Sequence, residues 1–378
     1  MAERVVVVGG GIAGASAAAF LSENADFHVT LVEQERNLAH HTTGRSAAQW
    51  IQNYGVPATR ALTKASFDFF ASPPEGLVDS ALLHDRAVLL IGNEHQEEGF
   101  RELLAAGQDS VPPARQLTPE EAAVLNPGVD PETTAFVMIE DGSFDIDVAA
   151  THQAFVRMLK RNSGTIATST KVNAATPTAD RWSVHTTAGP IVADYLVNAA
   201  GAWGDVVAEA AGIQPVGLQP RRRTAFMVNG SALPDADMSR SSEWPMLINV
   251  AHDWYVKPDG QQFLCSPADQ TPSEPMDARP EELDIARAID IINKYTRFQI
   301  RSVVSSWAGL RTFAPDESMV IGPDPANRRF IWCVGQGGTG IQTSPAAGRL
   351  TALLTSCEQL PIDLAAVDLA AILADRFR

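Results

Sequence analysis

Residues 4–14 read Arg4-Val5-Val6-Val7-Val8-Gly9-Gly10-Gly11-Ile12-Ala13-Gly14, and the order of residue types in this stretch decides the fold. The β-branched run at 4–8 predicts a buried strand that stops at glycine. Alanine-rich residues 12–21 predict a helix, and residues 27–33 alternate in polarity and predict a second strand. Strand, glycine turn, helix and strand within about 30 residues form a βαβ unit with a right-handed crossover. Gly9, Gly11 and Gly14 stand in a GxGxxG spacing. Gly9 allows the tight turn, Gly11 lets a pyrophosphate approach the backbone, and Gly14 lets the helix pack closely on the strand. The helix start offers unpaired N–H groups to phosphate. Glu33 closes the second strand near the ~20-residue spacing expected of an acid that holds ribose hydroxyls, which disfavours a 2′-phosphate. The unit is therefore read as a dinucleotide site, and FAD and NAD share this fingerprint.

Further along, the chain changes character. Residues 87–91 and 134–139 predict short strands, and Thr118-Pro119-Glu120-Glu121 has the spacing of a capping box that starts a helix. Residues 191–198 predict an apolar strand that runs into Ala199-Ala200-Gly201. Residues 224–228 and 254–257 predict strands, and Ile285, Ile289 and Ile292 share one helical face. Residues 329–334 predict a last strand, followed by a glycine-rich turn and a helix reaching residue 354. The expected organisation is a nucleotide-binding domain assembled from 1–50, 145–215 and 312–378, with a substrate-binding domain from 51–144 and 216–311.

The 378 residues suit two or three domains. A formal net charge of −16 repels phosphate backbones and anionic headgroups, so neither a nucleic acid nor a membrane partner is expected. Residues 5–21 imitate the apolar core of a secretory signal, but their glycines fit the turn better. No run approaches a membrane span. Cys265, Cys333 and Cys357 lie far apart and form no CxxC pair, which predicts no disulfide framework, no metal site and a cytoplasmic location.

Three further segments bear on the cofactor. Thr42-Thr43-Gly44-Arg45-Ser46-Ala47-Ala48 follows the βαβ unit, and its backbone and guanidinium are candidates to reach the pyrophosphate. Val197-Asn198-Ala199-Ala200-Gly201-Ala202-Trp203 ends a strand in small residues that allow close approach. Gly335-Gln336-Gly337-Gly338-Thr339-Gly340 precedes a helix with Pro345 in its first turn, whose N–H groups suit developing negative charge. With Gly217-Leu218-Gln219-Pro220 and Trp307-Ala308-Gly309-Leu310-Arg311, these segments resemble the glycine oxidase, sarcosine oxidase and D-amino acid oxidase family of flavoproteins. The resemblance covers nearly the whole chain and is strongest to the members that act on D-arginine.

The resemblance implies non-covalent FAD and an α/β fold: a discontinuous Rossmann-like FAD-binding domain with a β-rich substrate domain of mixed sheet plus helices. Carried over as cofactor contacts are Gly9, Gly11, Ile12, Ala13, Gly14, Glu33, Gln34, Thr43, Gly44, Arg45, Ser46, Ala48, Val172, Ala200, Gly201, Trp203, Gly337, Gly338, Thr339, Gly340 and Ile341. Arg311 matches the carboxylate-binding arginine, a role that the planar guanidinium fork suits. Arg223 supports the same carboxylate, and Tyr54 and Tyr255 match substrate-facing phenols. In a strand, Trp254 then points to the face opposite Tyr255.

Two positions depart from the D-arginine members: Gln49 stands in place of histidine and Val88 in place of glutamate. Gln49, Ile51 and Val88 then line an apolar side-chain pocket, which predicts a preference for uncharged side chains, with Asp85 as the alternative acid. His40, His41, His84 and His252 are scattered, and none is singled out as a general base; neither a nucleophile pair nor a metal-ligand cluster is recognised. The expected reaction is oxidative deamination of a D-amino acid to the imino acid and then the 2-oxo acid, with oxygen or another molecule as final acceptor. The alternatives are oxidation of a secondary amine on the same scaffold, a nicotinamide-linked dehydrogenase, and a partner-binding flavoprotein without turnover.

Overall fold

The computed structural model describes residues 2–178 and 180–378. The strand Glu3–Val8 sits inside a six-stranded sheet ordered Val320–Pro323, Phe330–Val334, Tyr195–Asn198, Glu3–Val8, Phe27–Val32, Thr165–Ala167. Every pairing in it is parallel except that of Val320–Pro323 with its neighbour. Val5, Val7, Leu31 and Val197 are wholly buried, as a parallel sheet covered on both faces requires.

The helix Ile12–Leu21 leaves the glycine turn and packs against Val148–Arg161 and Ser344–Ser356. Alanines and Gly348 allow this close crossing, since a Cβ on Gly348 would fall 2.7 Å from the Ser16 carbonyl carbon. The helix Pro57–Ala71 lies in the stretch expected to belong to the substrate domain, yet it packs on Ser344–Ser356. Ser66 Oγ accepts the Ala346 N–H at 3.0 Å, and Gln342 Nε2 donates to Thr63 Oγ1 at 2.9 Å.

A nine-stranded sheet runs Thr271–Pro272, Gln219–Asn229, Gln262–Ser266, Tyr255–Asp259, Met246–Asn249, Val88–Gly92, Phe136–Glu140, Arg115–Leu117, with Ser305–Phe313 also paired to Gln219–Asn229. Alternation divides its two faces. Phe226, Val228, Leu247, Trp254 and Phe263 pack under the helix Glu282–Tyr295. Ala225, Met227, Val88, Met138 and Tyr255 form the opposite face. Trp254 and Tyr255 therefore point apart, as expected.

The strand Ser305–Phe313 places Arg311 inside it. Pairing with residues 219–227 carries the strand through its polar positions. The capping box forms: Glu121 N–H donates to Thr118 Oγ1, and Thr118 N–H donates to a Glu121 carboxylate oxygen. Among the described residues no helix is long and apolar enough to cross a membrane.

Candidate active site

Between the two sheets lies a cleft of about 1530 Å³, counting its open mouth, which runs from Glu33 and Val172 to Arg311 and Tyr255. The glycine turn forms its floor. Gly9 has φ +110°, and a Cβ there would meet the Ala199 carbonyl oxygen at 2.4 Å; one on Gly14 would lie 1.8 Å from the Gly9 carbonyl oxygen. Gly14 thus shapes the turn from beneath, while Gly9, Gly11, Ile12 and Ala13 line the cleft. Thr43 Oγ1 accepts the Ile12 N–H at 3.0 Å. Buried His152 bonds the Gly10 carbonyl through Nε2 at 3.0 Å, and burial pulls its pKa down.

Glu33 is almost fully buried, accepting the Gly10 N–H at 2.6 Å on one oxygen and the Glu35 N–H at 2.8 Å on the other. Each carboxylate oxygen keeps a second lone pair for a ribose hydroxyl, and Gln34 and Val172 line the cleft beside it. Ala200, Gly201 and Trp203 border the middle of the cleft; a Cβ on Gly201 would meet nothing within 4 Å. The donor set, the ribose acid and the open backbone at Gly11 fit a dinucleotide.

Besides Gly14, three expected contacts stand behind the wall rather than on it. Gly44 is held by its N–H bond to the Ala39 carbonyl, Ala48 packs with Ile12, Trp50 and Ile341, and Thr339 caps the Gln336 carbonyl. Thr43, Arg45, Ser46, Gly337, Gly338, Gly340 and Ile341 reach the cleft. The Arg45 guanidinium, expected near the pyrophosphate, instead donates to the Ala308 carbonyl at 2.8 Å and pairs with Asp277. Asp277 lies 232 residues away, so no local pattern reveals that partner.

Residues passed over in the sequence also appear here. His40 and His41 line the cleft, and with Glu35 they bring ligand-type atoms within 4.8 Å of one another, so the expectation of no such cluster is corrected. His41 Nε2 lies 3.1 Å from Glu35, and its ring is 4.8 Å from that of Trp203. These contacts account for the grouping as a polar rim, and no metal is assigned to it. Lys257 reaches from the large sheet to the Ala47 carbonyl at 2.7 Å and to Asp145 at 3.1 Å.

At the far end Arg311, Arg223 and Tyr255 line the cleft together. Arg311 Nη1 donates to Tyr54 Oη at 3.4 Å. Gly338 lets the last loop close over this guanidinium, since a Cβ there would fall 2.8 Å from Arg311 Nη1. The basic run 221–223 divides by side. Arg222 pairs with Asp269, Glu281 and Asp284, and Arg221 pairs with Glu317. Arg223 donates through Nε to the Asp269 carbonyl at 2.8 Å. Among the described residues neither Arg223 nor Arg311 has a carboxylate within ion-pair distance.

Burial, and then the charge of Arg311, push the Arg223 guanidinium down to about 10. The Arg311 charge likewise pulls the Tyr54 hydroxyl below its usual range. His252, whose ring centroid is 6.0 Å from that of Tyr54, is pulled down by burial and by Arg223.

The expected side-chain pocket is only partly assembled. Ile51 exchanges backbone hydrogen bonds with the Gln342 amide at 3.2 Å. Gln49 Nε2 donates to the Arg86 carbonyl at 3.0 Å, leaving its Oε1 buried without a partner. Val88 is wholly buried in the apolar face shared with Ile51 and Tyr255 and does not reach the cleft wall. Asp85 is exposed on the strand Leu83–Asp85.

A parallel sheet with a phosphate-binding turn, a ribose acid and a charged pocket at the far end of one cleft defines a dinucleotide-dependent protein of two structural parts. The chain belongs to the FAD dependent oxidoreductase family (DAO), whose model matches residues 4–354. FAD is therefore its cofactor, and the nicotinamide alternative is set aside. The chain is 22% identical over 395 residues to FAD-dependent oxidoreductase domain-containing protein 1 of Mus musculus, covering 92% of this chain and 80% of that one. It is 27% identical over 378 residues to glycine oxidase of Pseudomonas aeruginosa, covering 96% and 97%. The crystal structure of glycine oxidase from Geobacillus kaustophilus superposes with a TM-score of 0.80 at 19% identity, over 97% of this chain and 98% of that one.

Proposed function

We propose that the protein oxidises the carbon–nitrogen bond of an amino acid, with the D configuration carried over from the resemblance at Arg311, Tyr54 and Tyr255. The observation that carries this reading is the pair of arginines, Arg311 and Arg223, left without acidic partners at the end of a dinucleotide cleft. Two desolvated cations side by side call for an anion, and the planar fork of Arg311 matches a carboxylate. FAD, when bound, supplies the acceptor for the hydride leaving Cα. Arg311 and Arg223 hold the α-carboxylate, Tyr54 steadies Arg311, and Tyr255 closes the wall. This positioning does the work that a dedicated base would otherwise do, because a neutral amine needs only correct alignment. Water then hydrolyses the imino acid to a 2-oxo acid and ammonia.

Non-covalent attachment of FAD is supported by the cysteines, none of which lines the cleft. Burial pushes the Cys333 thiol up to about 11. Their lack of pairing favours a cytoplasmic location. The division into an FAD-binding and a substrate-binding domain follows the two large sheets, with residues 57–71 reassigned to the former.

The test is 2-oxo acid formation from D- and L-amino acids, with alanine compared against N-methylalanine and oxygen against an artificial acceptor. D-selective deamination of primary amines is expected. Faster turnover of N-methylalanine would replace the reading with secondary-amine oxidation.

A further inference from the structure

Arg45, Ser46 and Ala47 form one wall of the cleft. Behind this wall two of their carbonyls are bonded by side chains of the nine-stranded sheet. Trp307 Nε1 donates to the Arg45 carbonyl at 3.0 Å, and Lys257 Nζ donates to the Ala47 carbonyl at 2.7 Å. Lys257 lies on the strand Tyr255–Asp259, two residues beyond Tyr255, so both side chains leave the same sheet face. Tyr255 lines the cleft itself, whereas Lys257 reaches the wall from behind, with a side chain 13% exposed.

This ammonium belongs to a charged group with an excess of cation. Asp145 accepts from Lys257 Nζ at 3.1 Å on one oxygen and from Arg86 Nε at 2.9 Å on the other. Among the described residues no other carboxylate lies within ion-pair distance of either cation. Two cations therefore share one carboxylate, and one positive charge is left over beside the Ala47 peptide. A trans peptide points its N–H opposite to its carbonyl, so Lys257 polarises the N–H of Ala48. That N–H donates to Ser46 Oγ at 3.1 Å, and the Ile146 N–H fixes the Ala48 carbonyl at 3.0 Å. The Ser46 hydroxyl keeps its own proton for a ligand, because among the described residues no group accepts it. Hydrogen bonds in series strengthen one another, the more so away from water.

We propose that Lys257 is a positioning residue for the flavin. Acting through the Ala47 peptide and the Ser46 hydroxyl, it turns the positive end of a hydrogen-bond chain towards the cofactor in the cleft. That end favours the reduced, negatively charged ring over the oxidised, neutral one. Asp145 sets the strength of this bias, since it offsets part of the ammonium charge. The inference needs FAD in the cleft and does not depend on which amino acid or amine is oxidised.

The test is an anaerobic titration of the FAD-loaded protein with dithionite beside a two-electron reference dye, read from the visible bands of both. Two electrons from dithionite and one proton from solvent enter the ring, which leaves one negative charge on it. No amino acid is present, so the test can fail while amino-acid oxidation stands, or succeed while it falls. Lys257→Met keeps the stem and removes the charge. The ratio of reduced to oxidised flavin at a fixed dye ratio should then fall about tenfold, which is about 30 mV for two electrons. Asp145→Asn takes the counter-charge from both cations, and the ratio should rise about threefold or more. A loosened wall would move both variants the same way, so opposite signs separate polarisation from packing. Shifts of the same sign, or a Lys257→Met ratio within about twofold of the parent, would overturn the proposal. If Lys257→Met does not retain flavin, Asp145→Asn decides alone: a raised ratio supports the proposal, and an unchanged or lowered one overturns it.

Discussion

At the Glu33 end of the cleft the carboxylate accepts two backbone N–H groups, the turn glycines fit against neighbouring carbonyls, and Thr43 occupies a helix-start N–H. At the Arg311 end two guanidinium groups lie together, with no carboxylate within ion-pair distance of either among the described residues. Both ends belong to a single cleft, but the first is satisfied by its own chain and the second keeps two cations without acidic partners. The cofactor end is a rigid form set by backbone sterics. The substrate end holds unpaired polar groups whose desolvation only a bound molecule offsets.

Gly14→Val breaks the comparison at its first term. A Cβ 1.8 Å from the Gly9 carbonyl forces strand and helix apart, so the variant should lose about 3 kcal/mol or more of stability and purify without flavin absorbance. Arg311→Ala acts on the other end. Removing the carboxylate's partner should cost about 2–5 kcal/mol in kcat/KM, mostly through KM, with FAD still bound. Arg311→Lys should recover only part of this, because the fork is lost.

Glu140→Gln has a pH signature. The folded carboxyl titrates at about 7, above its unfolded value near 4.5. Between those values the folded protein keeps a proton that the unfolded chain has lost, so stability falls as pH rises through this window and is level above it. Glutamine does not ionise. The variant should therefore be more stable than the parent at pH 8, by at most about 3 kcal/mol, and equal to it near pH 4; thermal melts at both pH values check this. Glu33→Gln gives the smallest shift, about tenfold weaker FAD binding with unchanged turnover at saturating FAD.

What the sequence made legible follows the same division. The turn at Gly9 and Gly14 and the acid at Glu33 are local, because steric limits and a fixed spacing act within one βαβ unit. Arg45 shows where such reading stops: its place near the cleft was legible, but its Asp277 partner arrives from the distant second part of the chain. The pairing of Glu140 with Val88 was invisible for a similar reason. Only antiparallel register sets Glu140 opposite Val88, and register is not written in either strand alone. The grouping of Glu35 with His40 and His41 depends on a non-helical connection that no periodicity describes.

The most direct test of amino-acid oxidation at the Arg311 clamp is an anaerobic titration of the FAD-loaded protein, following the visible flavin bands. Bleaching by α-amino acids, D ahead of L, and not by the corresponding amines without a carboxylate, is the predicted result. Flavin that is indifferent to every D-, L- and N-methyl amino acid, or that is reduced equally well by amines lacking a carboxylate, would contradict the account.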